Sequence, residues 1–326
     1  MKKIYIGFSA HRLEAIPFYK KAFEQADFII LEDFPNPLFN LMLSGKISLK
    51  EYIENIETTF PKFLKAQCKL LQEAYKNGKV IIQIDPYMEK LVKMYQLIEN
   101  GKSPEEIKQL PEFLDIYEAE HEATGRLLDY YQAVMEDFEK AVKAVKEFAY
   151  ADAKRIALRD RLRAEAIAHY LKDKKGKIFI EAGYIHIFLS RFLQNVNLKD
   201  WEIKASFLLA PIACSLAKKI LGKPLPYPLV PGDILTFWYM RKKKIDPQKE
   251  NLLAARVLIY NKLISSEELE PTPTIPFPHL KQEFFIKVIL QKLSYKDCAY
   301  LYEIIKFLPQ QKVWQLIQKV TGINYL

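Results

Sequence analysis

Ile4-Tyr5-Ile6-Gly7-Phe8-Ser9-Ala10-His11 is the stretch that decides the fold. A short β-branched and aromatic run, apolar without alternation, gives way to an ionisable side chain. The same arrangement returns further along the chain. Phe28-Ile29-Ile30-Leu31 runs into Glu32 and Asp33, Val80-Ile81-Ile82-Gln83-Ile84 into Asp85, and Ile178-Phe179-Ile180 into Glu181, with His186 just beyond. Runs of this kind predict strands covered on both faces, as in a parallel sheet. Trp201-Glu202-Ile203-Lys204-Ala205-Ser206-Phe207-Leu208 reads as a fifth strand.

Helical patterns separate these runs. Glu14 to Glu24 sets Ile16, Phe18, Tyr19 and Phe23 close to one face. Tyr52 to Tyr75, interrupted at Pro61, continues with Phe63, Leu64, Cys68, Leu70 and Leu71 until Asn77-Gly78 closes it, as a glycine past a helix end often does. Such alternation predicts βαβ units with right-handed crossovers. From Pro86 to Lys172 the pattern is helical almost throughout, with Ser103-Pro104 reading as an N-cap and first helical residue. The fold class expected is therefore α/β: a mostly parallel central sheet flanked by helices, with a long helical insertion and a helical C-terminal extension. Residues 1–208 are the expected core, interrupted by the insertion 86–172, which serves as a lid or as a homodimerisation arm. Residues 209–326 are the extension.

Composition narrows the function classes. Half of the 326 residues are hydrophobic and 27% are charged, which excludes a disordered or fibrous chain. With only 10 glycines the chain is ill suited to a β-sandwich or propeller, which need many tight turns. The formal charge is +9, but basic and acidic residues interleave, so nucleic acid is not an expected partner. The one dense basic run, Arg241-Lys242-Lys243-Lys244, reads as a solvated helix end or loop, or as a phosphate or membrane-surface contact. Abundant Lys and Glu with little Gly suits a thermophile. Cys68, Cys214 and Cys298 have neither disulfide-framework nor zinc-ligand spacing and read as small hydrophobes in a reducing compartment. The longest apolar run, Ala205 to Ala217, is broken by Pro211 and is short of the ~20 residues that a spanning helix needs. The start, Met1-Lys2-Lys3, reads as the lead into a strand and not as a signal peptide. A cytoplasmic protein with no membrane span is expected.

Ligands of open parallel sheets bind outside the carboxyl ends of the strands. His11, Glu32, Asp85, Glu181 and His186 fall at that edge by strand assignment alone. A right-handed crossover brings the start of the helix before the fourth strand to the same edge, and with it Arg159, Asp160 and Arg161. Arg161, Glu165 and His169 share one helix face, as an exposed ion-pair ladder or as part of a pocket wall. Glu118-x-x-His121 is half of a di-iron motif without its second half, and both residues are expected at the surface. Two imidazoles and several carboxylates at one edge make a nitrogen and oxygen ligand set that allows zinc, manganese, cobalt or iron. A metal-bound water would be the nucleophile. Glu14 or Glu32 would accept its proton, and Arg159 or Arg161 would stabilise developing negative charge. Without a metal, His11 itself is the candidate general base.

A histidine after the first strand, an acidic residue after the second, Arg159-Asp160-Arg161-Leu162-Arg163-Ala164-Glu165 on a helix, and then Gly183-x-x-His186 after a late strand resemble the TraB/Tiki, erythromycin-esterase and ChaN superfamily over roughly residues 3–208. Two positions depart from its pattern: Gly7 stands four residues before His11, and Leu158 precedes Arg159-Asp160 where a Glu is usual. The resemblance implies His11 and His186 as paired site histidines and Glu32 and Asp160 as acidic partners. It also implies one of three chemistries: a metal-dependent protease, a histidine-assisted esterase without a required metal, or iron or haem binding. The expectation is a metal-assisted hydrolase acting on a peptide, ester or related bond of a small-molecule or peptide substrate. Its metal ligands would be His11, Glu32, Asp160 and His186, with Asp85, Glu165 and Glu181 as binding residues. The alternatives are a non-catalytic haem, iron or small-ligand binder and a helical interaction scaffold.

Overall fold

The computed structural model describes residues 2–242 and 244–322. Of the basic run Arg241 to Lys244, Lys243 lies outside the described residues. Five parallel strands form one sheet: β1 (Lys2–Ser9), β2 (Phe28–Leu31), β3 (Val80–Gln83), β4 (Gly176–Gly183) and β5 (Glu202–Phe207), in the order β3-β2-β4-β1-β5. The apolar runs are these strands, and the α/β class expected from them is what the chain adopts. β4 is the central strand. Tyr5 and Ile6 of β1 stand opposite its Phe179 and Ile180, and Ile30 of β2 pairs with Ile180 from the other side. Because all the strands run the same way, their carboxyl ends share one edge.

The pleat sends alternate residues to two covered faces. On one, Ile4, Ile6, Phe8, Ile178 and Ile180 pack against Ala164, Ile167 and Leu171 of the helix Phe138–Leu171 and against Leu189 and Leu193 of the helix Leu189–Asn195. On the other, Phe179 meets Tyr19 and Phe23 of the helix Ile16–Gln25, with Phe63 of the helix Pro61–Lys76 packed at a tilt beyond Tyr19. The turn residues behave as their types require. Gly78 closes Pro61–Lys76 at φ 77°, a conformation that costs glycine nothing. Ser103 and Glu106 form a reciprocal capping box at the start of Pro104–Lys108.

Two compact units divide the chain. The first comprises residues 1–114, 158–211 and 267–278; the second comprises 115–157, 212–266 and 279–326. The stretch 86–172 therefore contributes to both units instead of forming one inserted piece. Its middle part is drawn into the second unit by burial: Phe138, Ala141, Val142, Val145 and Ala149 share a core with Leu235, Ala255, Leu258, Ile286, Ile289 and Leu301. The helices from 210 onward are the expected extension, with residues 267–278 returning to the first unit. Cys68 and Cys298 are buried thiols and Cys214 is half-buried, all unbridged. Among the described residues no helix is long and apolar enough to cross a membrane.

Gly7 marks a close approach inside the sheet. A Cβ there would stand 2.6 Å from Phe179 Cε2 and 2.8 Å from Leu208 Cδ2. Both neighbours are buried, so Gly7→Ala overpacks a filled face. A loss of about 1–3 kcal/mol in urea unfolding is expected, and an unchanged midpoint would show that the ring has room to move.

Candidate active site

The carboxyl edge of the sheet carries a continuous set of ionisable side chains, all in the first unit. Glu32, placed by the end of β2, is at its centre. Its Oε1 lies 2.9 Å from His186 Nε2 and 3.2 Å from Arg159 Nη2. Its Oε2 accepts the Gly183 N–H at the end of β4 and lies 3.4 Å from Arg163 Nη1. His186, in the short turn after β4, has its other nitrogen, Nδ1, 2.5 Å from Asp160 Oδ1. Asp85 follows β3 and does two things. Its Oδ1 caps the helix Pro86–Glu99 by accepting the Met88 N–H at 3.1 Å, and its Oδ2 takes Arg159 Nε at 2.8 Å and Nη2 at 2.6 Å. Arg163 ties the edge together through backbone, donating to the Ile84 carbonyl at 3.1 Å and the Glu181 carbonyl at 2.6 Å.

Beside this lies a second group. The Glu181 carboxylate accepts Gln67 Nε2 at 2.6 Å and has His11 Nε2 3.9 Å away. The His11 ring stacks on Phe63, with centroids 5.2 Å apart, and meets the edge of Phe60. The side chain of His11 is 39% exposed, whereas that of Glu181 is buried.

Burial sets the electrostatics and the opposite charges correct it. Burial alone would raise the Glu32 pKa, but His186, Arg159 and Arg163 outweigh it and hold the carboxyl well below its ordinary value. Burial would likewise strip the proton from His186, but the carboxylates of Glu32 and Asp160 push the ring up to about 9. Asp160 is raised by burial and by Glu32 against the pull of His186. Its second oxygen, Oδ2, is buried with no hydrogen-bond partner among the described residues. Glu181 is raised, by burial above all, against the pull of His11. Asp33, held by Gln83 Nε2 at 2.8 Å, is raised to about 6 by burial.

The structure thus brings His11, Glu32, Asp85, Arg159, Asp160, Glu181 and His186 to one edge. It leaves Arg161 and Glu165 out. They form an exposed i,i+4 contact at 3.6 Å, because the helix turns its Asp160 and Arg163 face, continuous with Ala164 and Ile167, toward the sheet. Of the two arginines expected to stabilise charge, Arg159 is the one whose guanidinium meets the buried acids Asp85 and Glu32. Glu14 is buried in the turn Leu13–Ala15 after His11. Glu118 and His121 are exposed, with His121 stacked on Tyr117.

Two of the four residues expected to hold a metal, His186 and Glu32, are engaged with charged partners instead. A ligating imidazole must offer a nitrogen lone pair. Both nitrogens of His186 face carboxylates, whose charges push the ring up to about 9 and so favour a proton on each nitrogen. Glu32 has both oxygens taken by nitrogen donors. Among the described residues no group of three or more His, Cys, Asp or Glu is placed to hold a metal ion.

Sequence reasoning missed Arg163, Gln67, Tyr19 and Asp33 as members of the site. Gln67 had a readable signal: it stands between Phe63 and Leu71 at four-residue spacing, on the buried stripe of its helix. Tyr19, buried on the inner face of Ile16–Gln25, has its phenol raised well above the ordinary range by burial and by Glu181. Arg163 repeats Arg159 one turn on and is 1% exposed.

The chain is 29% identical over 298 residues to an uncharacterised protein of Archaeoglobus fulgidus, covering 91% of this chain and 97% of that one. No family model matches the chain, and no solved structure matches it.

The His186 pKa is raised on folding from 6.5 to about 9. Its ion pairs therefore contribute fully below pH 6.5, and their contribution is lost as pH rises through 9. Melting temperature should fall between pH 7 and 10, and His186→Gln should flatten that fall while costing about 3–5 kcal/mol at pH 7. Parallel pH profiles for the two proteins would contradict the ion-pair reading.

Proposed function

We propose that this edge is a hydrolytic site that works without a metal, with His11 as general base. The observation that carries the reading is the contrast between His11 and everything behind it. His11 is the half-exposed imidazole, braced by Phe63 and backed by a buried carboxylate. His186 is a sealed cation between Glu32 and Asp160. The erythromycin-esterase branch of the resembling superfamily implies the same metal-free chemistry.

The chemistry follows from the placement. Glu181 Oε1, 3.9 Å from Nε2, favours the tautomer with its proton there, which leaves the Nδ1 lone pair for a water molecule. That water attacks the carbonyl carbon of an ester, amide or related bond, and His11 takes its proton. The imidazolium formed is stabilised by Glu181 and returns the proton to the leaving group. Arg159 is anchored to Asp85 through Nε and Nη2, so its Nη1 can face the developing oxyanion. Glu32, His186, Asp160 and Arg163 hold Arg159 and the β4 end in place and exchange no proton with substrate. The substrate class is a small molecule or a peptide.

A panel of activated esters and short peptides tests this. At least one should turn over with a rate unaffected by chelator. His11→Ala should lower kcat about 10²–10⁴-fold with the melting temperature preserved, and Glu181→Gln should shift the acidic limb of the pH–rate profile. Turnover that survives in His11→Ala, or that chelator abolishes, would sink the reading, as would no turnover across the panel.

A further inference from the structure

The second unit holds a pocket of its own. It is walled by the start of the helix Pro231–Met240, by the helix Pro247–Leu263 and by the helix Pro278–Lys292. Leu229, Val230, Ile234, Leu253 and Leu290 make the walls apolar, and the cavity measures about 100 Å³. An apolar cavity of ~150 Å³ accepts benzene, so this space suits a short hydrocarbon tail.

Charge is set into that apolar wall. Lys287, Arg256 and Glu283 line the pocket, which leaves one positive charge in excess. Arg256 is fixed there, because its Nε and Nη2 donate to the carbonyls of Leu293 and Gln291 at the end of Pro278–Lys292. Lys287 is half-buried, and its Nζ donates to the Leu229 carbonyl at 2.6 Å. An ammonium has three donors, and among the described residues no carboxylate forms an ion pair with this one. The nearby Asp233 is turned elsewhere, accepting the Val230 N–H at 3.2 Å. Burial raises the Asp233 pKa to about 7, so it is an incomplete counter-charge at neutral pH. Burial also lowers the pKa of Lys287, against Asp233 and together with Lys223. A half-buried ammonium beside apolar surface, with donors beyond its one carbonyl bond, offers a place for an anionic head next to a hydrocarbon tail.

We propose that this pocket binds a small apolar monocarboxylate, its head on the remaining donors of Lys287 and its tail among Ile234, Leu253 and Leu290. Head and tail both contribute, so neither charge nor hydrocarbon alone should suffice. The site is distinct from the hydrolytic edge and does not depend on that reading.

Calorimetric titration of the full chain with sodium hexanoate, and separately with 1-hexanol and sodium acetate, tests it. Hexanoate should bind saturably, and the two partial probes at least about tenfold more weakly. Lys287→Met should weaken hexanoate about tenfold or more and leave 1-hexanol unchanged. Ile234→Trp, which fills the cavity, should abolish hexanoate binding. No saturable hexanoate binding by the wild type, equal affinity for hexanoate and 1-hexanol, or full retention in Lys287→Met would each overturn the proposal. If either variant fails to fold, the comparison of the three probes on the wild type decides alone.

Discussion

The carboxylate of Glu32 is the constraint around which the sheet edge is organised. A charge buried this completely is tolerable only if opposite charges and hydrogen-bond donors surround it. The chain supplies them from separate places: Arg159 and Arg163 from one helix, His186 from the turn after β4, and a backbone N–H from Gly183. Each supplier then needs partners of its own. Arg159 draws in Asp85, His186 draws in Asp160, and Arg163 spends its donors on the carbonyls of Ile84 and Glu181. One buried charge thereby fixes the ends of β2, β3 and β4 and the rotation of the helix above them.

The parallel sheet makes this convergence possible. Every strand delivers its last residue to the same side, so four strand ends put acids and imidazoles within reach of each other. The aromatic packing of Phe179, Tyr19, Phe23 and Phe63 holds that side firm, and the last of these rings also supports His11. Packing and chemistry therefore share residues: Phe63 belongs to the core and to the wall of the site. In the second unit an apolar core of helices likewise surrounds a pocket with an ammonium in its wall.

The sheet and its edge were readable from the sequence because both depend on local order. An uninterrupted apolar run names a strand, and the ionisable residue after it is carried to the ligand edge. His11, Glu32, Asp85, Glu181 and His186 were found this way. The helix was harder. Arg159, Asp160, Arg161, Arg163 and Glu165 lie within two turns, and composition alone does not say which face turns inward. The phase is set by buried Ala164 and Ile167, and it selects Arg163 over Arg161. Nor does spacing reveal that both ring nitrogens of His186 are engaged. A histidine among acids suggests a ligand until the geometry shows both ring nitrogens turned to carboxylates. The division of residues 86–172 depended on a core assembled from distant segments, which no local pattern encodes.

The backbone bonds of Arg163 bear on how this protein can change over generations. Its guanidinium holds two strand ends while also facing Glu32, so lysine, with a single point charge and no fork, cannot replace it. A change at Glu32 would take one partner from each of three cations, and a change at any of those cations would thin the charge around a buried acid. Each single replacement in this cluster therefore disturbs several buried partners at once. A replacement at the exposed Arg161–Glu165 pair, one helix face away, meets solvent and not this buried network.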